Sequence, residues 1–364
     1  MSNQNLLCAI QAAKVHKSIS SYLKNEIKPL MTLKEIASLI ETKIKDEIKY
    51  DPTNPLLRGV AFPTGLSLNN CAAHYTPNTN DSDIVLTKND IIKIDFGVHV
   101  KGVIIDSAFT LHFDSKYDEF INFSKNVTKH AVKLCGPDAI LGEIGREIEE
   151  YVKSKDTIFI GDKEYHIKTM SDLSGHLIKP YEIHAGKAVP NIAINYPLRM
   201  QEGEFYAIEP FITTGNGLSI LREPNSHYML TKNHDIINNL NVSEDKLYNI
   251  IKKNYSTLPF CQRWVSELCG VFPKLHQPPE IDNILQKLSN KKILNTYPPI
   301  YDIDNSYVSQ FEDTIFVKSN GIINLTESLS QAPSACSKSS GSASGILDIE
   351  RPEGWRYPSP TRSH

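Results

Sequence analysis

The hydrophobic positions of the chain change period several times, and each change marks a predicted element. Ala9, Ala12, Ala13 and Val15, continued by Ile19 and Tyr22, recur at helical spacing. Leu33, Ile36, Ala37 and Ile40 repeat the pattern, with Thr32 placed to cap the free amides. These stripes predict amphipathic helices within residues 1–50, each burying one face. The pattern then changes. Ile91–Phe96 and Val103–Thr110 read as strands, and Lys101-Gly102 between them suits a tight turn. If Val100 pairs with Val103, Asp95 faces Ala108, and Asp106 is its diagonal neighbour on the same face, roughly 7–8 Å away. Tyr307–Val317 reads as another strand, aiming Glu312 to the face of Gln310 and Thr314. Ser243–Asn254 reads as a helix capped by Ser243, with Glu244 and Asp245 in its first turn and Lys252 and Lys253 in its last. Leu247, Ile250 and Ile251 form its apolar stripe, and a second helix is predicted to contain Gln262–Leu268.

Chemistry concentrates in five residues: Asp95, Asp106, His176, Glu209 and Glu312. Any one acid in a strand hairpin is ordinarily a solvated face residue. Four together are different, because bare carboxylates sharing one buried site repel one another and lose hydration. Two divalent cations would resolve the conflict. Oxygen ligands with one imidazole suit Mn, Fe, Co or Zn.

Composition agrees with a globular enzyme. The chain has 364 residues, 40% of them apolar, and a formal charge of −3. That is enough for a large core and gives no reason to expect a nucleic-acid partner. No stretch approaches the length of an apolar membrane span, and MSNQNLLCAIQAAK does not read as a signal peptide. The six cysteines (Cys8, Cys71, Cys135, Cys261, Cys269, Cys336) are dispersed, as reduced cytoplasmic thiols are. Among the 12 histidines, His99, His112 and His130 read as strand-edge or helix-surface residues without a role.

The local strings carry a resemblance. They include RGVAFPTGLSLNNCAAHYTPN, IDFG, IIDSAFT, GHLIKPYEIHAGKAVPN and EGEFYAIEPF, followed by SHYM, TLPFCQRW, TYPP and QFEDTI. In this order, from about Leu57 to about Asn324, the chain resembles the type 2 methionine aminopeptidases of the pita-bread metallopeptidase family. The resemblance implies an α+β pita-bread fold, in which a pseudo-twofold antiparallel sheet is flanked by helices and carries a helical insert. IIKIDFGVHVKG and EFYAIEPFITTGNG are a faint internal echo of that symmetry. The division expected is a helical segment at 1–50, a catalytic domain at 51–225 and 296–325, and a type 2 insert at 226–295. The tail at 326–364, which contains TESLSQAPSACSKSSGSASG, is too poor in apolar residues to offset chain entropy and is expected to be disordered.

The resemblance also assigns roles. Asp106 and Glu312 would bridge two divalent cations, Asp95 would complete one set, and His176 and Glu209 the other. His74, Glu209 and His184 would be catalytic. Phe62, Ile183, His184, His227 and Tyr297, with His74, would contact the substrate, and Pro259 would lie near the pocket. Read without the resemblance, Phe62, Ile183 and Tyr297 are core residues and His74 is structural. The implied reaction is removal of N-terminal methionine from nascent chains whose second residue is small, by water activated between the cations. The implied setting is a cytoplasmic monomer. Ribosome association would have to proceed without the charged polylysine extension of many relatives. The alternatives are an inactive pita-bread binding protein and a proline dipeptidase. The first class has lost several ligands, all present here, and the second lacks CAAHYTPN and the insert.

Overall fold

The computed structural model describes residues 3–232, 239–270 and 278–327; residues of the expected tail from 328 onward lie outside the described residues. Helices α1 (Asn3–Glu26) and α2 (Leu33–Ile48) follow the predicted stripes. Ala9, Ala12, Ala13, Ile19, Leu33, Ile36, Ala37 and Ile40 are all buried. Thr32 caps α2 in a reciprocal box: Glu35 N donates to Thr32 Oγ1 at 3.2 Å, and Thr32 N donates to Glu35 Oε2 at 2.7 Å.

Both helices share a core with the first sheet. Its centre is the hairpin Ile91–Val100 and Val103–His112, paired along its full length. The turn residues Lys101 (φ 51°) and Gly102 (φ 75°) both have positive φ, as a two-residue hairpin of this hand requires. The register is the predicted one: Val100 faces Val103, Asp95 faces Ala108, and Asp106 faces Gly97. Each strand runs a little longer than expected. His99 is not an edge residue. It is 1% exposed, and burial pushes it down to about 4.

The second sheet is antiparallel throughout, in the order Ala188–Pro190, Ser174–Ile178, Phe205–Ile208, Asp313–Lys318 and Gly321–Asn324. Helices α3 (Asp118–Leu134) and α4 (Leu141–Lys155) pack on it through Phe120, Val127, Ile144 and Ile148. A short third sheet places Phe211–Thr213 between Lys168–Thr169 and Val308–Gln310.

Here the structure departs from the predicted continuous strand Tyr307–Val317. The strand breaks between Gln310 and Asp313, and its two pieces enter different sheets. Its partner breaks at the same level. Ile208 pairs with Asp313 and Phe211 with Gln310, so in unchanged register Glu209 lies across from Glu312. Pro210 has no N–H to give to a ladder. The freed backbone groups find other partners. Thr128 Oγ1 donates to Phe311 O at 2.9 Å, Glu312 N donates to Ala108 O at 2.9 Å, and Ser107 Oγ donates to Glu312 O.

Residues 226 to 297 build a separate small core. Strands His227–Leu230, Phe260–Cys261 and Leu294–Tyr297 pair, and α5 (Val242–Asn254), α6 (Gln262–Gly270) and α7 (Pro278–Asn290) surround them. Helix α5 starts one residue before the predicted Ser243, and its cap is Asn241. Asn241 Oδ1 accepts from Ser243 N and Glu244 N, while Glu244 Oε2 accepts from Asn241 N at 3.0 Å. This region is tied to the N-terminal helices by a buried cluster. Arg263 donates through both Nη atoms to Glu41 of α2, at 2.7 and 2.8 Å, and Trp264 Nε1 donates to Glu41 Oε2 at 2.8 Å.

Candidate metal centre

The hairpin contributes Asp95 and Asp106, and the paired strand breaks contribute Glu209 and Glu312. His176 comes from the strand Ser174–Ile178, where it pairs with Ala207, two residues before Glu209. The five residues predicted from sequence therefore converge. His176 Nε2 lies 3.5 Å from Asp106 Oδ2 and 3.3 Å from Glu209 Oε1. Ligand atoms of Asp106, His176 and Glu312 all lie within 4.8 Å of one another. Asp106, His176 and Glu312 are buried.

As a protein-only site, the cluster is electrostatically unfavourable. Burial, then Glu209, pushes Asp95 up to about 7. Burial pushes Glu209 up to about 8. Asp106 rises through burial and then through Asp95 and Glu209; Glu312 rises through burial and then through Asp106, Glu209 and Asp95. Burial pushes His176 down to about 4. Neutral imidazole and anionic carboxylate are the forms that bind metal, so cations would favour the imidazole's state and reverse the carboxylates' shift. Asp95 Oδ1, Asp106 Oδ1 and Glu312 Oε1 are buried without a hydrogen-bond partner. Orphaned oxygens of this kind are costly, and hard or borderline divalent cations would satisfy them. The residues present fit such ions.

A cavity of about 230 Å³ opens beside the cluster. Its lining includes all the predicted substrate residues (Phe62, His74, Ile183, His184, His227 and Tyr297) together with Pro259. Gly97 makes room for one wall. A Cβ there would sit 2.2 Å from Phe62 Cε1, so any larger residue would push the ring out of its place. His74 follows the strand Cys71–Ala73 with φ at 62°, a left-handed conformation that non-glycine residues seldom adopt. Ser226 Oγ donates to His74 O at 3.2 Å and lies 2.9 Å from His227 Nδ1. The aromatic rings form a chain: His74 to Tyr297 at 5.8 Å, Tyr297 to His184 at 6.3 Å, and His184 edge-on to His176 at 4.4 Å. Burial, then His184 and His176, pushes His74 down to about 4. His184 and His227 fall to about 3, mainly through burial.

Sequence reasoning missed part of the lining. Asp172, Leu173, Ser174 and Phe211 also face the cavity. The first two belong to an irregular loop, where periodicity carries no signal. The sequence marks Gln310 only as a neighbour of Glu312. The structure puts its Nε2 between Asp95, Glu209 and Glu312.

Comparison with known proteins bears on the family and the fold. Residues 8–229 match the model for metallopeptidase family M24. Methionine aminopeptidase 2-1 of Fusarium vanettenii is 39% identical over 311 residues, covering 85% of this chain and 68% of the relative. Methionine aminopeptidase 2 of Clavispora lusitaniae is 41% identical over 307 residues, covering 84% and 68%. Among solved structures, a thermophilic Arx1 superposes with a TM-score of 0.74 at 17% identity, covering 89% of this chain and 91% of that one. A methionine aminopeptidase of Thermotoga maritima gives 0.59 at 17% identity, covering 90% and 98%. The structural likenesses show the fold, which is the expected pita-bread fold. The matched span and the curated relatives show more: this chain is an enzyme and belongs to metallopeptidase family M24.

Proposed function

We propose that the protein is a type 2 methionine aminopeptidase, which removes N-terminal methionine from nascent polypeptides whose second residue is small. The observation that carries this reading is the cavity. Its apolar walls, Phe62, Ile183 and Tyr297, stand directly beside the carboxylate–imidazole cluster. An unbranched thioether side chain fits such walls, and its peptide bond then lies at the cluster. The relatives named methionine aminopeptidase 2 support the same substrate. Residues 226–295 serve in this reading as the insert of the type 2 class. All the proposed site residues come from one chain, so a monomer suffices.

Asp106 and Glu312 would hold both divalent cations, Asp95 one of them, and His176 and Glu209 the other. When bound, the cations supply Lewis acidity and lower the pKa of water to near neutrality. The remaining work belongs to the side chains. Glu209 takes the proton of the attacking water and passes it on, in the anionic form that bound cations would favour. His184 donates a hydrogen bond to the carbonyl oxygen as charge develops there. His74 is neutral at pH 7 and directs its N–H at the departing amide nitrogen. Phe62, Ile183 and Tyr297 fix the methionine side chain and so the register of the scissile bond.

The test is a substrate comparison with added manganese or cobalt. Met-Ala-Ser should release free methionine, whereas peptides beginning with Pro or Ala should be left intact. Cleavage of dipeptides ending in proline, or no cleavage at all, would refute the assignment.

A further inference from the structure

Gln310 carries no charge, yet three of the four carboxylates meet on it. Its side chain is buried, with the residue 1% exposed. Nε2 lies 3.1 Å from Glu209 Oε2, 3.4 Å from Asp95 Oδ2 and 3.4 Å from Glu312 Oε2. These acids come from three separate segments of the chain. An amide nitrogen has two hydrogens, so three acceptors share two donors. The opposite orientation of the amide would set oxygen against three carboxylates, and chemistry therefore fixes which end points inward.

This contact sorts the carboxylate oxygens. One oxygen of each acid touches Gln310. On the far side, Asp95 Oδ1 and Glu312 Oε1 are buried with no partner, and Glu209 Oε1 faces His176 Nε2 at 3.3 Å. The backbone of Gln310 is firmly held. Its N–H donates to Thr110 Oγ1 at 3.0 Å, and Thr110 Oγ1 donates to its carbonyl at 2.7 Å. Its own Oε1 is buried without a partner, so among the described residues only the carboxylates hold the amide plane.

We propose that Gln310 is a positioning residue for the metal centre, holding Asp95, Glu209 and Glu312 by one oxygen each and turning the other toward the cations. The inference rests on the metal-centre part of the function proposed above. A neutral donor suits the task. It offsets part of the repulsion among the acids without occupying the charge that the cations must neutralise. A lysine would compete with the metal, and a glutamate would add a fifth anion.

The test titrates metal-free protein with Co(II), without substrate, following visible absorption and competition with a chelator. Gln310→Met removes the donors at similar length. Gln310→Asn keeps the amide but withdraws it from its three partners. Each folded variant, checked by its melting curve, should bind cobalt about 10- to 100-fold more weakly than wild type, as expected for loss of a group orienting metal ligands. Its cobalt spectrum should change as well. Binding within twofold of wild type with an unchanged spectrum, in either folded variant, would overturn the assignment. A wild-type protein that takes up no cobalt would overturn the metal centre and this inference with it. One that binds two cobalts but releases no methionine would overturn only the proposed substrate.

Discussion

Asp106→Ala and Glu312→Ala should each abolish peptide turnover and bring bound metal below two per chain, measured by atomic emission on dialysed protein. Both residues are buried, at 5% and 3% exposure, and both belong to the tight group, with His176, whose ligand atoms lie within 4.8 Å of one another. Each would lose a ligand shared between the two cation positions. The same substitutions should have the opposite effect on the metal-free fold. The folded-state pKa values of the acids lie above their unfolded values, with Asp95 near 7 and Glu209 near 8. The unfolded chain therefore gives up these protons first as pH rises. Metal-free stability is highest below about pH 4 in this respect and declines through pH 8. Removing Asp106 relieves its repulsion with Asp95 and Glu209. At pH 8 metal-free Asp106→Ala should melt above the metal-free wild type, and added metal should stabilise wild type far more. Full activity in either variant would refute the dinuclear centre.

His74→Ala should keep two metals per chain while kcat falls by about 10²–10⁴, the range expected for loss of a positioned proton-transfer group. His74 lies outside the tight ligand group, and its ring sits 5.8 Å from both Tyr297 and His227. With its pKa near 4 it is neutral at pH 7, and its nitrogens are not needed by the cations. A neutral, unliganded imidazole beside an apolar cavity is also a nucleophile. An epoxide that enters the cavity should alkylate His74 and spare His176 when metal is bound, which peptide mass spectrometry can read. Loss of a metal in His74→Ala, or an adduct on His176, would mean that the two histidines have exchanged roles.

The hairpin was legible because two local signals fixed it together. Two apolar-rich runs marked the strands, and Lys101-Gly102 set the register, so the Asp95–Ala108 pairing followed without tertiary information. The break at Glu312 was not legible. Nothing in SQFEDTI interrupts a strand; the interruption is shared with a partner about a hundred residues away, where Pro210 withholds an N–H. Helix α3 escaped for a related reason. Its buried stripe contains Ser124 and Thr128, which blur the apolar period, and Thr128 is spent on the Phe311 carbonyl at that same break. The cap of α5 was misplaced by two residues because Asn241 and Ser243 are both good caps. The choice was made by Glu244, which reaches back to Asn241 N. The five acid and imidazole positions, in contrast, stood in long distinctive strings, and so did the cavity walls.

The Glu41–Arg263–Trp264 cluster bears on how the molecule can be divided. The sequence suggests three modules, with α2 in one and α6 in another. The guanidinium of Arg263 is buried, and both arms rest on the carboxylate of Glu41. Deleting residues 1–50 would remove the buried carboxylate that both arms rest on, leave Arg263 only the more distant Glu267 at 3.7 Å, and uncover the apolar surface that α1 and α2 bury. The helices at the start of the chain are thus a scaffold for the region carrying His227, Pro259 and Tyr297, and not a detachable leader. A chain beginning at residue 51 should fail to give one sharp unfolding transition in urea. If it unfolded as cooperatively as the full chain, the modules would be energetically separate after all.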